Sequence, residues 1–270
     1  MRVLGKKISE DIIVELLDTV RQSGKKTSLA IVYAGSNPVI ENFIKIKMVM
    51  ADKLGVSVQL FHLLNPTTEK MVQIVSKISS DENINGIIIQ LPLPIAIDSE
   101  EVLNSVSPSK DIDVLSKTAF ADFAHGKSVF MPPTAGAVAE IFSRHEVVLK
   151  DKKIVVVGNG ALVGRPVKAW LRLKGLNPVI VTSDTKNSTS LLLSADIIIS
   201  GAGTPLFIKP DMIKDGVILI DAGTSEEGGK MLGDIDPTCE EKASLFTPVP
   251  GGVGPITVAL LFKNLLSTMK

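Results

Sequence analysis

Apolar positions along this chain recur at two alternating periods. ISEDIIVELLDTVRQ (8–22) spaces Ile, Val and Leu for one face of a helix, with Ser9 as the expected N-cap. SLAIVYAG (28–35) is a short continuous apolar run ending in glycine and a Ser-Asn-Pro turn, the pattern of a buried strand. A helix over 39–54, a strand VSVQLFHL (56–63), a helix near 67–80 and an apolar strand GIIIQLPLP (86–94) stopped by prolines follow. The alternation returns in KKIVVVGNGALVG (152–164), NPVIVTS (177–183), ADIIISGAG (195–203) and GVILIDAG (216–223), each strand ending in small residues. Strands and helices alternating at this spacing predict parallel sheets covered on both faces. Residues 115–133 carry few periodic signals and end in two adjacent prolines, so they are the predicted connector. The expected fold class is α/β: two α/β domains around a cleft, the second a Rossmann-like doubly wound parallel sheet.

Composition narrows the function classes. At 270 residues, with 45% hydrophobic and 21% charged, the chain reads as globular and large enough for one big core or two modest ones. Lys plus Arg equals Asp plus Glu at 29 each, so no global field attracts nucleic acid or an anionic membrane. A lone cysteine, Cys239, excludes an internal disulfide framework and suits a reducing cytoplasm. The N-terminus carries charges within its apolar pattern, which argues against a signal peptide or anchor, and no stretch is long enough to span a membrane. His62, His125 and His145 lack metal-ligand spacing, and no G-x-S-x-G elbow occurs. Metal and covalent chemistry are therefore not expected.

Three stretches carry candidate chemistry. VVVGNGALVGRP (155–166) sets glycines between a strand and a helix, where a pyrophosphate can approach backbone N–H groups at the helix's positive end. Its G-x-G-x-x-x-G spacing is one residue longer than the usual dinucleotide fingerprint, so a plain βα turn stays open. Asp184, 20 residues beyond Gly164, reads either as the acceptor for a ribose diol, as in NAD, or as a solvated loop acid. Within FIKIK, Phe43 and Lys47 share a helix face at i, i+4; a partly desolvated lysine there suits acid–base work, whereas an ordinary helical lysine is simply solvated. Gln90 interrupts an apolar strand near its C-terminal end and needs a polar partner. In PSKDIDVL (108–115) either Asp111 or Asp113 can bind a cationic or amide-rich ligand, or the loop is a capping turn.

Taken together and in this order, GIIIQLPLP, PSKDID, GALVGRP, IDAG and TPVPGGVGPIT (247–257) resemble the bifunctional methylenetetrahydrofolate dehydrogenase/cyclohydrolase family, nearly end to end. The resemblance implies a folate-binding catalytic domain over 1–118, completed by a C-terminal helix at about 255–270, and a dinucleotide-binding domain over 119–254. It implies Lys47 as the cyclohydrolase lysine, Gln90 as its partner and Asp113 as the anchor of the pterin's amino-pyrimidine edge. The implied substrate surface adds Phe43, Ile89, Leu91, Pro250, Gly251, Gly252, Val253, Gly254 and Pro255, the glycines lying where Cβ atoms would meet a flat ring. The loop is expected to line a surface, so that Gly252→Val spares the fold. The implied cofactor residues are Gly158, Asn159, Gly160, Val163, Gly164, Ser183, Asp184 and Thr224, with NADP as cofactor and NAD possible because Asp184 replaces a base. A tetrahydrofolate derivative is the implied substrate and a homodimer the implied assembly.

The chain departs from the family pattern at several of these positions. Phe43 stands for a usual tyrosine, Val114 for a glycine, Pro133 for a cysteine and Asn37 for an aspartate. The missing phenol points to a dehydrogenase-dominant variant with slow cyclohydrolase. Two other classes fit the bare pattern: another two-domain dehydrogenase of amino or hydroxy acids, and a nucleotide-binding protein without turnover. Neither accounts for Gln90 or the glycine-rich loop.

Overall fold

The apolar run at 28–34 becomes β1 (Ser28–Ala34), and all seven of its side chains are buried because it is the central strand of a sheet. The computed structural model describes residues 1–228 and 230–268. Its first helix, α1, covers Gly5–Ser23. Ser9 lies inside this helix and is buried, so it is not the N-cap that its position before the periodic run suggests. After β1 come α2 (Pro38–Lys53), the edge strand β2 (Ser57–Leu63), α3 (Thr68–Ser80) and β3 (Gly86–Ile89). The Asn37 side chain caps α2 by accepting from Val39 and Ile40 N–H, with Pro38 at the first helical position. All pairs are parallel in the order β2-β1-β3.

The strand expected over 86–94 stops at Ile89, since Pro92 and Pro94 have no N–H to give a ladder. Only Gln90 N–H extends it, donating to Val32 O at 2.8 Å. Two short helices follow, α4 (Ser99–Asn104) and α5 (Lys117–Ala124). The latter occupies part of the predicted connector, capped by Ser116 and holding Ala119 and Phe123 inward. Chain contacts group Asp11–Pro132 with Val258–Lys270, and Met1–Glu10 with Pro133–Thr257.

The second unit begins with α6 (Pro133–Arg144), then β4 (Ile154–Val157), α7 (Gly164–Leu173), β5 (Val179–Val181), α8 (Ser188–Leu193), β6 (Ile197–Ser200) and β7 (Ile218–Asp221). A hairpin of β8 (Ser225–Glu227) and β9 (Lys230–Leu232), the strand β10 (Leu245–Thr247) and α9 (Val253–Ser267) complete the chain. The main sheet has order β10-β7-β6-β4-β5 with every pair parallel. Counted within this sheet the order is 2-1-3-4-5 read from the far end, a doubly wound arrangement whose strand direction of travel reverses between β4 and β6. That reversal opens a crevice at the carboxyl ends of the two strands, where such sheets bind ligands. The exposed flank of β10 is covered by the N-terminal residues: Val3 N–H donates to Phe246 O at 2.8 Å, and Phe246 N–H to Met1 O at 2.9 Å.

Candidate active site

The polar interruption at residue 90 finds its partner 43 positions away. Lys47, on the buried face of α2, donates from Nζ to Gln90 Oε1 at 2.9 Å. Lys47 is 8% exposed and Gln90 7%. The Gln90 amide is oriented by its other end, where Nε2 donates to Leu91 O at 2.7 Å. Its oxygen is therefore committed to the lysine, and a neutral amine keeps its lone pair for another proton. Burial favours that neutral form and lowers the Lys47 pKa below the ordinary lysine value, while the negative charge of Asp113 works against the shift.

Asp113 and Asp111, equivalent in the sequence pattern, have different surroundings. Asp111 is buried and its Oδ2 accepts from the N–H groups of Leu115 at 3.0 Å and Ser116 at 2.7 Å, so it ties up its own loop. No protein donor among the described residues is assigned to the Asp113 carboxylate. Desolvation raises its pKa to about 6; the Lys47 ammonium pulls it down and Asp111 pushes it up. The loop is pinned from outside as well. Asn264 of α9 donates to Ile112 O and to Met131 O, both at 2.8 Å, and Ile87 N–H donates to Lys110 O at 2.8 Å. A lysine, an oriented amide and an uncommitted carboxylate are thus held by rigid elements of one unit.

Val114, next in sequence, has φ 59° and is 1% exposed. A side chain in the left-handed region costs roughly 1–2 kcal/mol, which burial of the isopropyl group, worth about 1.5–3 kcal/mol, offsets. Val114→Ala keeps the unfavourable φ and loses packing; Val114→Gly loses slightly more packing but removes the strain. Thermal melting is expected to show the alanine variant no more stable than the glycine one. A glycine variant melting several degrees below the alanine one would contradict this account.

Phe43 is half-buried one turn before Lys47 on α2, and Leu91 is half-buried beyond β3. Ile89 belongs to the hydrophobic core with Ala30, Val32 and Met71, and Val253 is 4% exposed, so the side chains of both pack inward. Pro250 is exposed and Pro255 half-buried.

Gly252 does not behave as a surface-lining glycine. A Cβ there would stand 2.6 Å from Pro248 O and 2.8 Å from the Thr247 Cβ, so the chain's own turn forbids it. Gly252→Val is therefore expected to damage the fold, contrary to the reading from sequence. Gly254 is the cleaner probe: it is exposed, lies in the first turn of α9, and a Cβ there meets nothing within 4 Å. Gly254→Ala should leave the melting temperature unchanged or slightly raised, because alanine suits a helix better. It should weaken binding of a folate analogue about tenfold, roughly 1.4 kcal/mol. Equal affinity in a folded Gly254→Ala protein would show that no ring approaches this backbone.

In the second unit, the turn between β4 and α7 separates its glycines in the same way. Gly158 has φ 93°, and a Cβ on it would lie 2.6 Å from Gly201 O; one on Gly164 would lie 2.2 Å from Gly158 O. Those two are demanded by close backbone packing. At Gly160 a Cβ meets nothing, and Asn159 and Gly160 are both exposed. Val163, buried, precedes α7 without a side-chain cap; in the first turn Arg165 N–H donates to Gly160 O at 3.0 Å, and Pro166 has no N–H to offer. Ser183 and Asp184 are exposed just after β5, with Ser183 Oγ donating to Asp184 Oδ1 at 3.4 Å, and Thr224 is exposed after β7. An open glycine turn, an uncapped helix start and an acid past the second strand fit a dinucleotide.

Sequence reasoning missed two acids. Asp221 and Asp234 are 1% and 0% exposed at the carboxyl ends of the second sheet. The first stands in the quoted stretch IDAG, and an acid closing an apolar strand was the available signal; the second has no such neighbour pattern. Among the described residues no group of His, Cys, Asp and Glu is arranged to hold a metal.

Two family models of known proteins match the chain. The family model described as tetrahydrofolate dehydrogenase/cyclohydrolase, catalytic domain, matches residues 3–113, and that described as its NAD(P)-binding domain matches residues 132–270. The bifunctional protein FolD of Nautilia profundicola is 38% identical, covering 98% of this chain and 96% of the relative. Among solved structures, the FolD methylenetetrahydrofolate dehydrogenase/cyclohydrolase of Campylobacter jejuni superposes with a TM-score of 0.94 at 32% identity, over 100% of this chain and 98% of that one. The Trypanosoma brucei FolD, solved with NADP cofactor and an inhibitor, gives 0.93 at 29% identity, over 100% and 97%.

Proposed function

Because the chain belongs to the tetrahydrofolate dehydrogenase/cyclohydrolase family, we propose that Lys47, Gln90 and Asp113 form the site at which a reduced folate is bound and hydrolysed, and that NADP is the working cofactor. The protein is a bifunctional enzyme of one-carbon metabolism: it oxidises 5,10-methylenetetrahydrofolate to the methenyl form and hydrolyses that to 10-formyltetrahydrofolate. The observation that carries the site assignment is the buried Lys47–Gln90 hydrogen bond beside a carboxylate with no assigned protein donor.

The nicotinamide supplies the redox chemistry when bound, and the backbone at Gly158, Asn159, Gly160 and the start of α7 would hold its pyrophosphate. Asp113 accepts hydrogen bonds from the amino-pyrimidine edge and so fixes the orientation of the pterin. Lys47 then moves the protons of the hydrolytic step: it takes one from the water that adds to the methenyl carbon and returns one to the ring nitrogen that leaves. Gln90 keeps the amine aimed while this happens. With Phe43 in place of a phenol, that proton passes between Lys47 and water alone, which supports a dehydrogenase-dominant balance.

An absorbance assay with methylenetetrahydrofolate and each nicotinamide dinucleotide tests the whole reading, since the methenyl product and its decay are followed separately. Absence of turnover with both dinucleotides would refute it. The choice of NADP rests on Ser183 and on the NADP-bound relative, against the repulsion that Asp184 exerts on a 2′-phosphate. Asp184→Ser is expected to improve kcat/KM for NADP several-fold and to leave that for NAD equal or lower. Wild-type protein that uses NAD at least as well as NADP at equal concentration would overturn the choice.

A homodimer and a cytoplasmic location belong to the same proposal. Exposed Ile46, Met48 and Val49 on α2 and Leu60 on the edge strand β2 support the first. No helix among the described residues is long and apolar enough to cross a membrane.

A further inference from the structure

Beneath the carboxyl ends of β6, β7 and β10 lies a polar network that the folate chemistry does not use. Asp234, fully buried, accepts at Oδ2 from Ser200 Oγ and from Ala202 N–H, both at 2.7 Å, and at Oδ1 from Thr204 N–H at 2.9 Å. Asp221 accepts from the N–H groups of Gly223 at 3.0 Å, Asp234 at 3.2 Å and Ile235 at 2.9 Å, and its own N–H donates to Thr247 Oγ1 at 2.8 Å. Space is cleared for both carboxyl groups. A Cβ on Gly223 would stand 2.2 Å from the Asp234 carboxyl carbon, and one on Gly233 would stand 2.1 Å from Asp221 Oδ2.

Burying two carboxyl groups costs free energy unless their oxygens are hydrogen-bonded. What the acids do that apolar groups cannot is fix backbone N–H groups that have no strand partner. Those of Ala202 and Thr204 belong to the loop leaving β6, and this loop is in direct contact with the glycine turn. The Gly158 backbone sits so close to Gly201 O that no Cβ fits, and a Cβ on Gly201 would stand 2.3 Å from the Val163 Cβ. Asp234 is thus two contacts away from the exposed Asn159–Gly160 backbone, across the crevice between β4 and β6.

We propose that Asp234 is a positioning residue for the dinucleotide: by holding Ser200, Ala202 and Thr204 it sets the height of the β6 loop, and through Gly201 the shape of the 158–164 turn. Asp221, at the end of β7, in turn holds the backbone N–H groups of Asp234 and Ile235. The inference rests on the reading of this unit as the nicotinamide-binding one, and it deepens that reading.

Asp234→Asn puts an amide NH₂ against donors that need an acceptor. Calorimetric titration with NADP and with NAD is expected to show at least a tenfold rise in Kd for the dinucleotide that the wild type binds. Hydrolysis of methenyltetrahydrofolate, assayed directly and without nicotinamide, should change less than twofold. Ser200→Ala removes one of three donors with minimal loss of volume and should raise the same Kd two- to fivefold; it carries the test if Asp234→Asn shows no cooperative melting. A residue serving the fold alone would lower the melting temperature and leave the Kd of the folded protein where it was. Unchanged Kd in a folded variant, or hydrolysis falling in proportion to dinucleotide binding, overturns the proposal. Wild-type protein that binds neither dinucleotide overturns the underlying reading instead.

Discussion

Replacing Lys47 with glutamine is expected to abolish hydrolysis of methenyltetrahydrofolate while dehydrogenase turnover stays measurable, so that the methenyl product accumulates. Oxidation at the methylene carbon needs alignment of two reacting carbons and no proton on a side chain. Ring opening needs water activated and protons moved, which a buried amine can do and an amide cannot. General acid–base groups contribute about 10²–10⁴-fold, so a loss of at least about 100-fold in the hydrolytic rate is the expected result. The wild-type rate should rise with pH as Lys47 loses its proton, along a limb centred below the ordinary lysine value because burial disfavours the ammonium. That limb should vanish in Lys47→Gln. Phe43→Tyr is expected to keep folate affinity and to speed hydrolysis by supplying a hydroxyl one helical turn from the amine. Retained hydrolysis in a folded Lys47→Gln protein would remove this lysine from the mechanism and require another base.

The second large effect separates two acids that stand two residues apart. Asp113→Ala removes a carboxylate that no protein donor claims. It should weaken folate binding and slow both reactions, since a pterin anchor serves both. A hydrogen bond to a charged group is worth about 1.5–3 kcal/mol, so folate affinity should fall about 10- to 100-fold with little change in melting temperature. Asp111→Ala should do the reverse. It strands the buried N–H groups of Leu115 and Ser116, each costing about 1–3 kcal/mol, and the fold pays for it before affinity does. The pH dependence gives an independent check. Burial pushes the Asp113 carboxyl up to about 6, and its ionised form is the better acceptor, so wild-type folate affinity is expected to decline as pH falls through that range. Asp113→Asn should flatten that decline. If Asp111→Ala alone weakened folate binding in a folded protein, the anchor would be the other acid.

Much of the fold was legible because fully buried strands leave a continuous apolar run. β1, β3, β4, β6 and β7 were each visible as three or more consecutive Ile, Val or Leu, or nearly so. Elements too short to show a period were not. α4, α5 and α8 have six to eight residues each, barely two helical turns. β10 has only three residues, Leu245–Thr247, and escaped notice although it pairs with β7 and with the N-terminal tail. The end of β3 was misjudged for a different reason: LPLP continues the apolar pattern, and it is the missing proline N–H that ends the ladder.

By itself the sequence determined the alternation of the long strands and helices, the α/β class, and the family, because these depend on local periodicity and on motifs whose spacing is covalent. It also placed Lys47 and Gln90 under suspicion as polar residues on apolar elements. Only the tertiary structure decided what each polar group is doing. Lys47 becomes a candidate base through a hydrogen bond across 43 residues and the desolvation that lowers its pKa. Asp113 is separated from Asp111 by which carboxylate the Leu115 and Ser116 N–H groups capture. Gly252 is bare for its own turn and Gly254 is bare toward solvent, though the sequence writes both as G. Asp221 and Asp234 emerge only when three loops close over them. Burial, hydrogen-bond partners and steric room are properties of whatever atoms surround a residue, and for these residues most of those atoms come from distant parts of the chain.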